Sequence, residues 1–165
     1  MITISTATSN DYKTIQGIAH QTWPATYAAI LSKEQLDFML DAFYSEEALI
    51  NDVVSKGHHF LLVKEDEVVL GFASYEHNYQ EKNRTRIHKI YVLPQTQGKG
   101  IGNMLIGYIE KLAIENHSTA LSLNVNRFNK ALSFYQKKGF EIIKEVDIEI
   151  GHGYLMEDYV MEKQL

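Results

Sequence analysis

The stretch Tyr91-Val92-Leu93-Pro94-Gln95-Thr96-Gln97-Gly98-Lys99-Gly100-Ile101-Gly102 is where residue type and spacing most clearly suit a ligand. An apolar, β-rich run ends at Pro94, glycines follow at 98, 100 and 102, and an amphipathic pattern opens at Ile101. A helix start offers backbone N–H groups without intrahelical partners and the positive end of the helix dipole, so it favours an anion. Glycines have no Cβ and let a phosphate approach the backbone closely. Lys99 adds a positive charge beside them. Three phosphate-binding patterns compete here. A P-loop requires a Lys-Ser/Thr pair after its second glycine, and none follows. A dinucleotide fingerprint requires G-x-G-x-x-G, but Asn103 stands where the third glycine belongs. The remaining pattern is Gln/Arg-x-x-Gly-x-Gly/Ala, met by Gln97, Gly100 and Gly102.

Other residues could move protons. His88, Glu76, His77 and Asp158 all fall in strand-like runs. His88 shares side-chain parity with Ile90 and Val92, and histidine titrates in the range a neutral-pH base needs. His58 and His59 are adjacent and point to opposite faces if extended. With no H-E-x-x-H present, a metal site is not expected. The chain has no cysteine, which excludes disulfides, thiolate metal sites and a cysteine nucleophile.

These residues need elements to position them. Thr8, Ser9 and Asn10 offer cap side chains before a helical pattern at Ile15, Ile18, Ala19 and Thr22, with Pro24 ending or bending it. Further short helices are expected over 26–56. His59 to Val63 and Val68 to Tyr75 read as a hairpin, and Arg86 to Leu93 as a third strand. Ile101, Met104, Leu105, Tyr108, Ile109 and Leu112 form an amphipathic stripe. A short strand over 120–125 precedes a helical stripe at Phe128, Ala131, Leu132 and Tyr135, which Gly139 can cap. Two alternating strands, 140–150 and 154–162, join at Gly151-His152-Gly153. The order predicts a mixed α/β fold around one sheet, and the 165 residues suit a single domain, 1–165. Alternation holds up to Lys89 and then breaks at Ile90-Tyr91-Val92-Leu93, which fits a bulge or a strand buried on both faces. The net charge of −5, with mixed signs, argues against nucleic acid as the main ligand. No apolar run nears the length of a membrane span and the first residues lack a leader pattern, so a cytoplasmic protein is expected.

About 25 residues past the glycines comes Leu121-Ser122-Leu123-Asn124-Val125-Asn126-Arg127-Phe128-Asn129, then Ala131, Phe134, Tyr135, Gly139 and Phe140. This arrangement and the loop pattern at Gln97, Gly100 and Gly102 together resemble the GNAT superfamily of N-acetyltransferases over at least residues 60–162. The region 22–45, with Thr-Trp-Pro-Ala-Thr-Tyr, looks less specifically like the polyamine-acetylating branch.

The resemblance implies a mostly antiparallel twisted sheet, flanked by helices, with a splay between two parallel strands at 86–93 and 120–125. It implies acetyl-CoA as cosubstrate, its pyrophosphate held by Gln97, Gly98, Lys99, Gly100, Ile101 and Gly102. The pantetheine arm would pair with the backbone of Ile90, Tyr91 and Val92, with Asn126 and Asn129 as further hydrogen-bonding candidates. Turn and cap chemistry is the competing role of both asparagines, Asn129 being the better cap. The reaction implied is direct attack of an amine on the thioester in a ternary complex. The amine must lose a proton, the oxyanion needs a donor and the thiolate needs an acid. The family implies a backbone N–H near Val92 for the oxyanion and Tyr135 for the thiolate; His88 is the candidate base. The acceptor is a small-molecule, polyamine or protein amine, and the oligomeric state, monomer or homodimer, stays open. A noncatalytic acyl-CoA-binding module is the alternative.

Overall fold

The computed structural model describes residues 1–96 and 98–165. The elements run β1 (Ile2–Thr6), α1 (Tyr12–Tyr27), α2 (Lys33–Tyr44), α3 (Glu46–Val54), β2 (His59–Glu65), β3 (Val68–Glu76), β4 (Arg84–Val92), α4 (Ile101–Glu115), β5 (Ala120–Asn126), α5 (Ala131–Lys137), β6 (Glu141–Gly151) and β7 (Tyr154–Gln164). The strands form one seven-stranded sheet in the order β1-β2-β3-β4-β5-β7-β6. Contacts group the chain into two compact units: Met1–Glu76 with His88–Ile109, and His77–Ile87 with Glu110–Leu165.

In the first unit, β1, β2 and β3 pair antiparallel in sequence order. The β2–β3 ladder shifts by one residue: Lys64 faces Val69 but Val63 faces Gly71, so Leu70 is the extra residue of a bulge. Thr8 and Asp11 make a reciprocal capping box, and Ser32 and Ser45 cap α2 and α3 by accepting from Gln35 and Ala48 N–H. Pro24 does not end its helix; α1 runs on to Tyr27. His20, whose carbonyl loses its donor to the proline, is exposed, and Trp23 is buried beside Tyr27, Phe43 and Tyr44. The strand Ile2–Thr6 is absent from the order expected from sequence: its alternating Ile2 and Ile4 are too short a signal without the partner β2.

In the second unit, β4 and β5 form a parallel ladder from Arg84↔Ala120 to Ile87↔Leu123. β5 and β6 each pair antiparallel with β7. His152 and Gly153 take positive φ (53° and 76°), so the expected β6–β7 hairpin turn is present. Helix α5 starts at Ala131, later than the apolar stripe suggests, and Phe128 is exposed. Asn126 Oδ1 accepts from Phe128 N and Asn129 Oδ1 from Ala131 N, so two side-chain turns hold this stretch out of the helix. The C-terminal end behaves as expected, with Gly139 at φ +95° and Phe140 N bonded to Tyr135 O.

Candidate active site

The glycine loop belongs to the first unit. Gly98 and Gly100 adopt φ of +88° and +72°, a region L side chains rarely occupy, and nothing crowds either α-carbon. Met104 N bonds to Gly100 O. The amides of Ile101, Gly102 and Asn103 therefore stand ahead of the helical ladder, where an anion can take them. Ile101 is 2 % exposed, which anchors the first turn of α4. Lys99 is on the surface and its Nζ lies 3.4 Å from Glu65 Oε1. Its charge is thus partly matched, by a solvent-screened pair of small energetic worth. Gln97 lies outside the described residues.

Upstream, Ile90, Tyr91 and Val92 are all half-buried, which rules out burial on both faces as the reason for their unbroken apolar run. The Tyr91 hydroxyl lies 3.0 Å from that of Tyr27, and its ring packs near Trp23 and Phe72. The tyrosine side chain is thereby held in an aromatic cluster. Opposite the Tyr91 backbone is Gly71. A Cβ there would lie 2.6 Å from Tyr91 O and 3.1 Å from Val92 Cα. The glycine lets the bulged β3 come close to β4 where pantetheine contacts were expected.

His88 is 19 % exposed at its side chain, and its Nε2 lies 2.9 Å from Glu76 Oε1. The ring of His58 stacks on that of His88 at 3.8 Å and 15°, and His58 Nε2 is 3.5 Å from the same carboxylate oxygen. Burial pushes His58 down to about 4, with Asp52 opposing the fall and Lys89 and Lys56 adding to it. Neighbouring Lys89 is drawn inward onto Asp52 at 3.1 Å, and burial lowers its pKa despite that partner. The sequence offered Glu76 and His88 as separate candidates and gave His58 no role. His59, by contrast, is exposed and stacks on Tyr75.

The second unit holds Tyr135, Asn126, Asn129 and two of the base candidates. Tyr135 is buried, with ring contacts to Phe134 and Phe140. The turn bonds of Asn126 and Asn129 occupy one lone pair of each side-chain carbonyl; their amide N–H groups are not used in those bonds. His77 Nδ1 is 2.8 Å from Thr85 Oγ1, which in turn meets Ser118. Asp158 is 2 % exposed, and burial raises its carboxyl pKa against the opposing hydrogen bond from Asn124. Among the described residues no helix is long and apolar enough to cross a membrane.

The family model of the Acetyltransferase (GNAT) family matches residues 17–140. A spermidine N(1)-acetyltransferase of Thermoplasma acidophilum is 28% identical over 159 residues, covering 93% of this chain and 91% of that protein. A peptidyl-lysine N-acetyltransferase, YjaB of Salmonella typhimurium, is 29% identical over 122 residues, covering 72% and 75%. The crystal structure of PaiA N-acetyltransferase from Thermoplasma acidophilum in complex with coenzyme A superposes with a TM-score of 0.84 at 28% identity, covering 100% of this chain and 99% of that one. With positive-φ glycines ahead of α4, the parallel β4–β5 pair in a mostly antiparallel sheet, and a family match that takes in both, the chain belongs to the GNAT family of acetyltransferases.

Proposed function

We propose that the chain moves the acetyl group of acetyl-CoA to a primary amine of a polyamine-like cation, with His88 as base and Tyr135 as acid. Use of acetyl-CoA and N-acetyl transfer follow from family membership. The polyamine acceptor is supported by the spermidine N(1)-acetyltransferase that matches along nearly the whole chain, set against a peptidyl-lysine relative that covers less of it. In this reading residues 1–165 work as one catalytic domain in the cytoplasm, without nucleic acid or membrane as partner, and the assembly, monomer or homodimer, stays open.

The loop amides from Gly98 to Gly102 hold the pyrophosphate, and Gln97 and Lys99 flank it. Backbone groups of Ile90, Tyr91 and Val92 take the pantetheine arm, and Asn126 and Asn129 can bond its amides. An alkylammonium has a pKa near ~10.4, so attack requires a base. His88 takes that proton, the amine nitrogen bonds the acetyl carbon, and a backbone N–H near Val92 meets the oxyanion. The C–S bond breaks, the Tyr135 hydroxyl protonates the departing thiolate, and the second proton shed by the acetylated nitrogen passes through solvent to restore that hydroxyl. The single observation that carries the base assignment is the 2.9 Å contact of His88 with Glu76. An amine panel followed by thiol release tests the reaction and its acceptor class. Saturable release with spermidine-like amines is expected. Release with lysine peptides alone would move the acceptor class to proteins, and no release with any amine would favour a noncatalytic acyl-CoA-binding module.

A further inference from the structure

Three side chains from three segments meet in the first unit: His58 just before β2, Glu76 at the end of β3 and His88 within β4. Their ligand atoms lie within 4.8 Å of one another, a spacing that could suggest a shared metal ion. The ring geometry argues otherwise. Histidine binds a metal in the plane of its ring, at roughly 2.0–2.1 Å for zinc. Rings stacked at 15° and 3.8 Å send their lone pairs side by side, and do not aim them at one point. The cluster is better suited to handling one proton.

An ionised carboxylate only accepts hydrogen bonds. With Glu76 Oε1 2.9 Å from Nε2 of His88, the hydrogen of a neutral His88 sits on Nε2, and Nδ1 is the basic nitrogen. We propose that Glu76 is the positioning residue of His88: it fixes the Nε2–H tautomer and ring angle, so that the substrate's proton is delivered to Nδ1. The inference rests on the reading of His88 as the base. In the step, an N–H bond of the ammonium breaks and an N–H bond forms at Nδ1. The electron pair left on the amine nitrogen makes the bond to the acetyl carbon. The positive charge then rests on His88 beside the carboxylate, which favours the charged form.

The surroundings keep this to a single charge. Glu76 faces His88 from β3, and His58 faces it from the stack. Behind His58 stand Asp52 from α3, 4.0 Å from its Nδ1, Lys56 after that helix and Lys89 from β4, with His59 beside it. His58 Nδ1 is buried without a hydrogen-bond partner, and the ring is held neutral well below the working pH of a histidine base. A second imidazolium against the first would oppose charging of His88; a neutral ring does not.

Nitrogen-15 spectra of the imidazoles in the intact protein test the tautomer without any substitution. A neutral His88 carrying hydrogen on Nε2 is expected, and hydrogen on Nδ1 would overturn the proposal. The pH profile of kcat/KM in Glu76→Gln supplies the functional arm. Loss of the anion should move the His88 limb to lower pH by about one unit, with acetyl-CoA affinity unchanged. Glu76→Asp, which keeps the charge, should restore most of the shift. A limb that disappears in His88→Gln but stays in place in Glu76→Gln would remove Glu76 from this role while leaving His88 as base. A limb untouched by His88→Gln would overturn the base reading itself.

Discussion

The glycine loop and the His58–Glu76–His88 cluster lie in the same unit, yet they are built in opposite ways. The loop is a contiguous stretch that offers backbone amides, and among its described residues Gly98 and Gly100 take positive φ. The cluster takes one side chain from each of three segments and depends on a ring stack and a 2.9 Å contact. The loop can hold an anion through dipoles that no surface substitution removes. The cluster is made of side chains, so substitution can remove its groups one at a time. Binding and chemistry should therefore be separable by mutation.

The largest effect tests the chemical half in the other unit. Tyr135→Phe keeps the ring contacts with Phe134 and Phe140 and removes only the hydroxyl. It should lower kcat by roughly 10²–10⁴-fold, the usual worth of acid–base help, with acetyl-CoA affinity little changed. The loss should shrink with an acyl donor whose thiol leaves more easily. A less stable protein with unchanged turnover per folded molecule would return Tyr135 to the core.

Gly100→Asp attacks the binding half. It forces a side chain onto φ +72° and puts a negative charge at the helix start. Acetyl-CoA affinity, read by calorimetry, should fall about 10–100-fold, and the cofactor-induced rise in Tm should shrink with it. Full affinity in a folded variant would take the loop out of the site.

Gly71→Ala sharpens the boundary between the two. The new Cβ meets backbone at 2.6 Å, which cannot give way as a flexible side chain can. A cost of about 1–3 kcal/mol in stability is expected, and weaker acetyl-CoA binding with it, because Tyr91 and Val92 must shift. Denaturant melts check the first and calorimetry the second; a neutral substitution would show that β3 and β4 do not need this approach.

A smaller effect is written in pH. The folded pKa of His58 is about 4, below the ~6.5 of an unfolded histidine. The native state thus binds fewer protons than the unfolded state between those values. Stability from this group is fully present above about pH 6.5 and is lost as pH falls toward 4, by up to about 1.4 kcal/mol per pH unit. His58→Phe should flatten the stability curve in that window. An unchanged slope would show that His58 titrates normally.

The same contrast explains what could be read from sequence. The loop was legible because its pattern is local: strand end, glycines, helix start. Tyr135 and its Gly139 cap were legible through a helical stripe, although the two asparagine turns delayed the helix to Ala131. The cluster was not legible, and the bulge is the reason. Carrying the Glu65↔Val68 pairing along the hairpin without a shift sets His58 opposite Tyr75. The extra residue Leu70 moves Tyr75 opposite His59, in line for His58 to meet Glu76. A slip of one residue exchanges the faces of a strand. His58 and His59 were correctly expected to diverge, but which of them faced a functional partner depended on that residue. The strand Ile2–Thr6 likewise depends on a partner far along the chain.

The most direct test of the separation measures two quantities on one sample of His88→Gln: the acetyl-CoA dissociation constant and kcat with a saturating polyamine. The account predicts an unchanged dissociation constant with kcat reduced by roughly 10²-fold or more, and loss of the limb that rises with pH. An unchanged kcat, or a fall in affinity that accounts for the lost activity, would contradict it.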